Sequence, residues 1–219
     1  MDRRRWVLLL GVAVGVLATC AATAQEYALQ GYMPQTVGSQ WTMKSTGPRG
    51  EETLQVVVTQ LVDMQGQKVP EMVTKAADGT PRRGSLELVT ADSLTIYGML
   101  FGGRGGGALT TVAYDPPAVF PGTMKVLDTA EATYKTTMRN GQVEVTMKLE
   151  LAAVEDVTVP KGTFTGCLKL VYTTSFAGGP EMKRTVWYAP GVGAVKTEQA
   201  PSGNRPGSTT ELVDYKLAP

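Results

Sequence analysis

Residues 157–196 read VTVPKGTFTGCLKLVYTTSFAGGPEMKRTVWYAPGVGAVK. Phe164, Leu168, Leu170 and Tyr172 share one parity, and Val186 and Tyr188 share one further on, with Trp187 opposite. Successive side chains of a strand point to opposite faces, so this spacing predicts two long strands, each with one face on a core. Gly178-Gly179-Pro180 interrupts the alternation with turn residues and predicts the bend between them. Pro190-Gly191 fits the central positions of a type II turn, with Pro fixing φ and Gly accepting φ > 0. Strict alternation puts Cys167 on the face of Lys169, and a bulge at Gly166 would move it to the core side.

The same period of two governs the flanking chain. Val143, Val145, Met147, Leu149 and Leu151 alternate with Glu144, Thr146, Lys148 and Glu150, the pattern of a strand with one dry and one wet face. Asn140-Gly141 is a strong hairpin signal, because both residues tolerate the positive φ of a type I′ turn. Gln65-Gly66, Asp78-Gly79 and Ala91-Asp92 mark further bends. The sequence predicts about ten to twelve strands at the spacing typical of all-β chains, and no amphipathic helix. So many strands do not stay flat. The expected fold is all-β: a strongly curved antiparallel sheet with meander connections, forming a half-barrel or open barrel. A two-sheet β-sandwich is the alternative.

Two stretches break the pattern. Residues 102–107 read GGRGGG; the Lys-Ser/Thr of a phosphate-cradling P-loop is missing, so a hairpin loop is expected. Residues 115–122 read DPPAVFPG, and three prolines predict an interruption of the sheet. It would divide a single β domain, 25–219, into halves 25–114 and 115–219.

The first 24 residues read as an address. Arg3, Arg4 and Arg5 precede an apolar run, and Ala22-Thr23-Ala24 supplies the small residues before a cleavage site, as in a secretory signal peptide. The apolar run falls short of the about 20 residues of a membrane-spanning helix, and no span is expected in the mature chain. The expected location is the periplasm or the extracellular space. Leu17-Ala18-Thr19-Cys20 supports an alternative, an outer-membrane lipoprotein anchored at a lipidated Cys20.

Removing residues 1–24 takes away three arginines and one aspartate, leaving a net charge of −1. Nucleic acid, which requires a concentrated basic surface, is not an expected partner. The chain has no histidine, which excludes Ser-His-Asp and Cys-His catalysis and the commonest metal ligand. The carboxylate pairs Glu51-Glu52 and Glu155-Asp156 point to opposite faces of a strand and do not converge. No catalytic residue, metal site or cofactor is predicted, and the chain is not expected to be an enzyme. Trp41, Tyr97, Trp187 and Tyr188, with Tyr215, are the candidate ligand-binding residues; aromatic groups on strands serve equally as core. Met99, Met147 and Met182 suit an adaptable apolar cavity or an ordinary core.

Several motifs together carry a resemblance. They are Tyr32-Met33-Pro34 with Val37-Gly38-Ser39-Gln40-Trp41, Val159-Pro160-Lys161-Gly162-Thr163-Phe164 with Cys167, Trp187-Tyr188-Ala189-Pro190-Gly191-Val192-Gly193, and Glu211-Leu212-Val213. The chain resembles an uncharacterised family of bacterial exported β proteins, carrying a domain of unknown function. It is loosely similar to the half-barrels of lipoprotein carriers such as LolA and LolB. The resemblance brings no catalytic residues. It implies an apolar cavity on the concave side of a curved sheet. The curved sheet with its aromatic and methionine content leads to an expected envelope protein binding a lipid or other apolar or amphipathic ligand; the alternative is a structural module docking on another envelope protein without a ligand.

Overall fold

The computed structural model describes residues 25–219 apart from 49, 103–107, 139, 140 and 178. The leader with Cys20, the glycine-rich run 103–107, Asn140 and Gly178 therefore lie outside the described residues.

A short strand β1 (Glu26–Ala28) and a 3-10 turn at Leu29–Gly31 precede a long meander. Its strands are β2 (Gln40–Gly47), β3 (Gly50–Met64), β4 (Gln67–Ala76), β5 (Pro81–Val89), β6 (Ser93–Gly102) and β7 (Leu109–Pro121). After the short β8 (Thr123–Lys125) come β9 (Thr129–Met138), β10 (Gly141–Val159), β11 (Gly162–Phe176), β12 (Met182–Ala189), β13 (Gly193–Gln199) and β14 (Ser208–Lys216). All but β1 and β8 form a closed twelve-stranded antiparallel barrel. The sheet curves as its alternation predicts, and it also closes. β14 pairs with β2 from Thr209↔Thr46 to Lys216↔Gln40.

Bulges supply the curvature. Register shifts fall at Val58/Gln60 against β4, Leu86/Glu87 and Ile96/Gly98 around β6, Glu155/Val157 against β11, and Trp187/Tyr188 against β13. Each bulge bends its strand and adds right-handed twist, which lets a wide sheet roll shut. The turns match their residues: Gln65 and Gly66 both have positive φ, 55° and 81°, in the two-residue loop joining β3 to β4.

The alternation read in β10 to β12 holds. Val145, Leu149, Leu151, Leu168, Leu170, Tyr172 and Val186 belong to one buried cluster. Gly166 adopts φ +65° at a bulge, and Cys167 beside it is fully buried. The thiol joins a second core with Val157, Val159, Trp187 and Leu212. The tip of the β10–β11 hairpin reaches β14, where Lys161 N donates to Leu212 O at 3.0 Å and Lys161 Nζ pairs with Asp214.

DPPAVFPG does not break the strand as its prolines predict. β7 runs through it, and the 114/115 boundary falls inside β7. The prolines instead interrupt one ladder: β6 pairs at Gly98↔Ala113 and resumes at Ile96↔Ala118. Residues without an amide hydrogen are tolerated where no partner strand needs one.

The segment before β2 fastens onto the barrel. Leu29 N donates to Gly122 O, Gly191 N to Gly31 O and Gly38 N to Val58 O, at 2.8, 2.8 and 2.9 Å. Leu29 and Met33 are buried in the main core. Gln35 takes the place of a missing strand. The β4–β5 ladder ends at Glu71↔Leu86, and beyond it Gln35 Nε2 donates to Glu87 O at 2.8 Å while Val89 N donates to Gln35 Oε1 at 2.9 Å.

Candidate functional site in the barrel lumen

Strand alternation sends every second side chain of a barrel inward. In this barrel those side chains leave a cavity of about 180 Å³. One side is apolar: Trp41 and Met43 from β2, Leu54 and Val56 from β3, Met72 from β4 and Met99 from β6. Met33, Pro34 and Gln35 of the N-terminal segment also line it. A groove of about 540 Å³ bordered by Lys183, Glu198 and Pro201 is larger, but Lys183 and Thr185 put it on the face of β12 opposite to that of Arg184, Val186 and Tyr188.

The charged groups lining the lumen are Arg83 and Glu87 from β5 and Arg184 from β12. Around the ring, β5 and β12 stand six positions apart among twelve, so they are opposite walls. Register explains the inward aim. Arg83 pairs with Thr74, a lining residue, and Arg184 pairs with Tyr172 of the core. Neither guanidinium has a hydrogen-bonding or ion-pairing partner among the described residues; the ion pairs there are Lys44–Glu51, Lys68–Asp63, Lys125–Glu26, Lys161–Asp214, Lys169–Glu155 and Lys196–Glu198. Both side chains line the cavity; that of Arg184 is half-buried and that of Arg83 is accessible to water.

Burial, and then the like charge of Arg184, lowers the Arg83 pKa, with Glu52 opposing. Burial also works against the Arg184 charge, but the Tyr188 and Tyr172 phenols and Glu87 outweigh it and raise its pKa. A guanidinium starts far above neutrality, so both carry their charge at neutral pH. The Arg184 guanidinium carbon lies 4.8 Å from the centre of the Tyr172 ring, within cation–π range. Burial raises the pKa of Tyr114, Tyr172 and Tyr188 above the ordinary phenol value. These hydroxyls stay protonated and can donate. The Tyr172 and Tyr188 oxygens are 3.4 Å apart.

Of the four aromatic residues singled out from the sequence, Trp41 and Tyr188 line the cavity. Trp41 is fixed by a 2.7 Å hydrogen bond from Nε1 to Val192 O. Trp187 and Tyr97 do not line the cavity. Trp187 faces away from the lumen, opposite Tyr188, with Nε1 donating to Glu155 Oε1 at 2.6 Å. Its ring lies 5.1 Å from Lys169 Nζ and 5.0 Å from Lys196 Nζ. Tyr97 falls in the bulge between Ile96 and Gly98, which turns it out of the lumen to pack with Val69 and Leu86. Tyr215 packs with the second core.

The fold and its lumen define a class: closed antiparallel barrels with a half-apolar, cationic interior. Residues 119–212 match the family described as DUF3108-like. In fold the chain is similar to a candidate lipoprotein from Parabacteroides distasonis ATCC 8503, with a TM-score of 0.54 at 21% identity, covering 84% of this chain and 98% of that one. A candidate exported protein with a YmcC-like fold from Bacteroides fragilis NCTC 9343 gives a TM-score of 0.49 at 17% identity, over 85% of this chain and 99% of that one. The hypothetical lipoprotein YmcC from Escherichia coli K12 gives 0.37 at 12% identity, over 84% of this chain and 87% of that one. Comparison with functionally curated proteins returned no match. The first of these structures shows a likeness in fold; none of these findings extends to LolA or LolB carriers. No helix among the described residues is long and apolar enough to cross a membrane. The outer wall of β9 and β10 carries Glu131, Lys135, Glu144 and Lys148, all exposed, which does not suit a lipid-facing band.

Proposed function

We propose that the protein is an exported, non-enzymatic binding protein of the cell envelope that holds a small amphipathic molecule inside its barrel. The observation that carries this reading is the lumen itself, an apolar cavity with a few convergent polar groups, the usual form of a small-molecule site. Export is supported by the leader pattern at 1–24 and by the lipoprotein description of the Parabacteroides distasonis protein of similar fold. A non-enzymatic role is supported by the absence of histidine from the sequence and by Cys167. That thiol is fully buried, and its pKa is pushed up to about 11 by burial and then by Asp156 and Glu155, which disfavours a nucleophilic thiolate. Closure pairs the described strands all round the wall, so a strand-docking role has the β1–β8 ribbon and the thin β7–β9 seam to use.

The test is binding of the neutral fluorophore N-phenyl-1-naphthylamine, paired with mass spectrometry of the purified protein before and after unfolding. Saturable probe binding, with a small molecule released on unfolding, is the expected result. A lumen that takes up no probe and releases nothing would remove the reading. Labelling with a fatty-acid analogue separates a chain cleaved after Ala24 from one anchored at Cys20.

A further inference from the structure

We infer that the lumen recognises a carboxylate amphiphile of medium chain length, its acid group held between Arg83 and Arg184 and its chain against the apolar wall. The inference rests on the reading of the lumen as a binding site, and it names the chemistry of the occupant.

The two guanidiniums come from opposite walls, β5 and β12, and still open into one cavity. Neither has a protein partner among the described residues, while the surface carboxylates of Glu51, Asp63 and Asp214 are each paired with lysines. Two like charges facing one cavity, neither in an ion pair and with Glu87 alone as an opposing charge in the lining, repel each other, and an arriving anion relieves the repulsion and gains charge-assisted hydrogen bonds. A guanidinium fork matches the two oxygens of a carboxylate better than a point-charge ammonium does.

The charge balance sets the occupant's charge. Two arginines and Glu87 leave the lining with a formal charge of +1, so one negative charge neutralises it. The protonated hydroxyl of Tyr188, which lines the same cavity as Arg184, is a further donor. The apolar wall sets the rest of the molecule. Met43, Leu54, Val56, Met72 and Met99 are unbranched or aliphatic groups suited to an alkyl chain. The cavity of about 180 Å³ lies below the roughly 300–1,000 Å³ of drug-sized sites, which favours a medium chain over a long one.

The test compares decanoate, decanol and decyltrimethylammonium by isothermal titration calorimetry on the full mature chain. Decanoate is expected to bind about tenfold or more tightly than decanol, as charge-assisted hydrogen bonds require. Decyltrimethylammonium is expected to bind more weakly than decanol. Arg83→Met and Arg184→Met should each remove the preference for decanoate and leave decanol affinity in place. Arg184→Lys, which keeps the charge, should retain part of it and guards against a variant that does not fold. Equal affinity for decanoate and decanol in the wild-type protein would overturn the carboxylate assignment while leaving the lumen as a neutral-ligand site. If none of the three amphiphiles nor N-phenyl-1-naphthylamine binds, the assignment falls together with the reading on which it stands.

Discussion

Arg184 is the cross-strand partner of Tyr172, and its guanidinium carbon lies 4.8 Å from the centre of that ring. The pair ties the charge of one wall to the core of the barrel. Tyr172→Phe keeps the ring and loses the contact with the Tyr188 hydroxyl; urea denaturation should show a loss of about 0.5–1.5 kcal/mol. Tyr172→Leu also loses the cation–π contact and should lose about 0.5–2 kcal/mol more. Equal stability of the two variants would mean that the ring does not hold Arg184.

The seam between β7 and β9 is thin. One register pair, Asp115↔Lys135, joins the strands. Thr136 Oγ1 adds a 3.1 Å hydrogen bond to Ala113 O, and the Tyr114 and Tyr134 rings stack at 3.9 Å. Side chains here replace a ladder. Tyr134→Ala should cost about 3–5 kcal/mol, as other buried aromatic truncations do. Hydrogen exchange of the variant should accelerate in β7 and β9 before β3 and β4. Uniform acceleration around the barrel would contradict the idea of a local weak point.

Glu155 gives an acid-side prediction. The hydrogen bond from Trp187, and then those from Lys169, lower its pKa. A depressed carboxylate stabilises the fold above its unfolded pKa of about 4.3, and that contribution is lost as pH falls through the lower folded value. The stability difference between wild type and Glu155→Gln should therefore be constant from neutral pH down to about 4.3 and shrink below it. The carboxylate is 41% exposed, so solvent screening keeps the effect within about 1 kcal/mol.

Cys167 gives the alkaline counterpart. Its thiol pKa is raised to about 11 by burial first, against about 8.5 in an unfolded chain. The contribution to stability is complete below about 8.5 and is lost as pH rises through the folded value. Cys167→Ala should lack this part of the alkaline decline, measured as the difference between the two denaturation curves from pH 8 to 11. Thiol reagent at pH 8 should modify the native protein slowly and the unfolded protein fast. Rapid native labelling would contradict the burial.

Much of the barrel wall was legible because its signal is local. Val143 to Leu151 alternates in one strand, and Leu168, Leu170 and Tyr172 in the next, so one face of each had to be dry. Closure was not legible, since it depends on Trp41 and Tyr215 meeting from opposite ends of the chain. Bulges hid the rest: one extra residue at Tyr97 reverses the facing that simple alternation assigns. The lumen charges were missed on β5, where Leu86 and Leu88 suggest that their side is the core and Arg83, Ser85 and Glu87 the solvent side. The barrel uses the opposite polarity there. Arg184 was the available clue, a cation sharing parity with Val186 and Tyr188.

The ring closes where residues of the forties meet residues of the two-hundred-and-tens. A polypeptide released N-terminus first cannot complete that circle until its final strand is free, and such distant contacts fold slowly. Until then β2 offers a bare edge to any neighbour. The moment of greatest hazard for this protein is the interval before its last strand arrives.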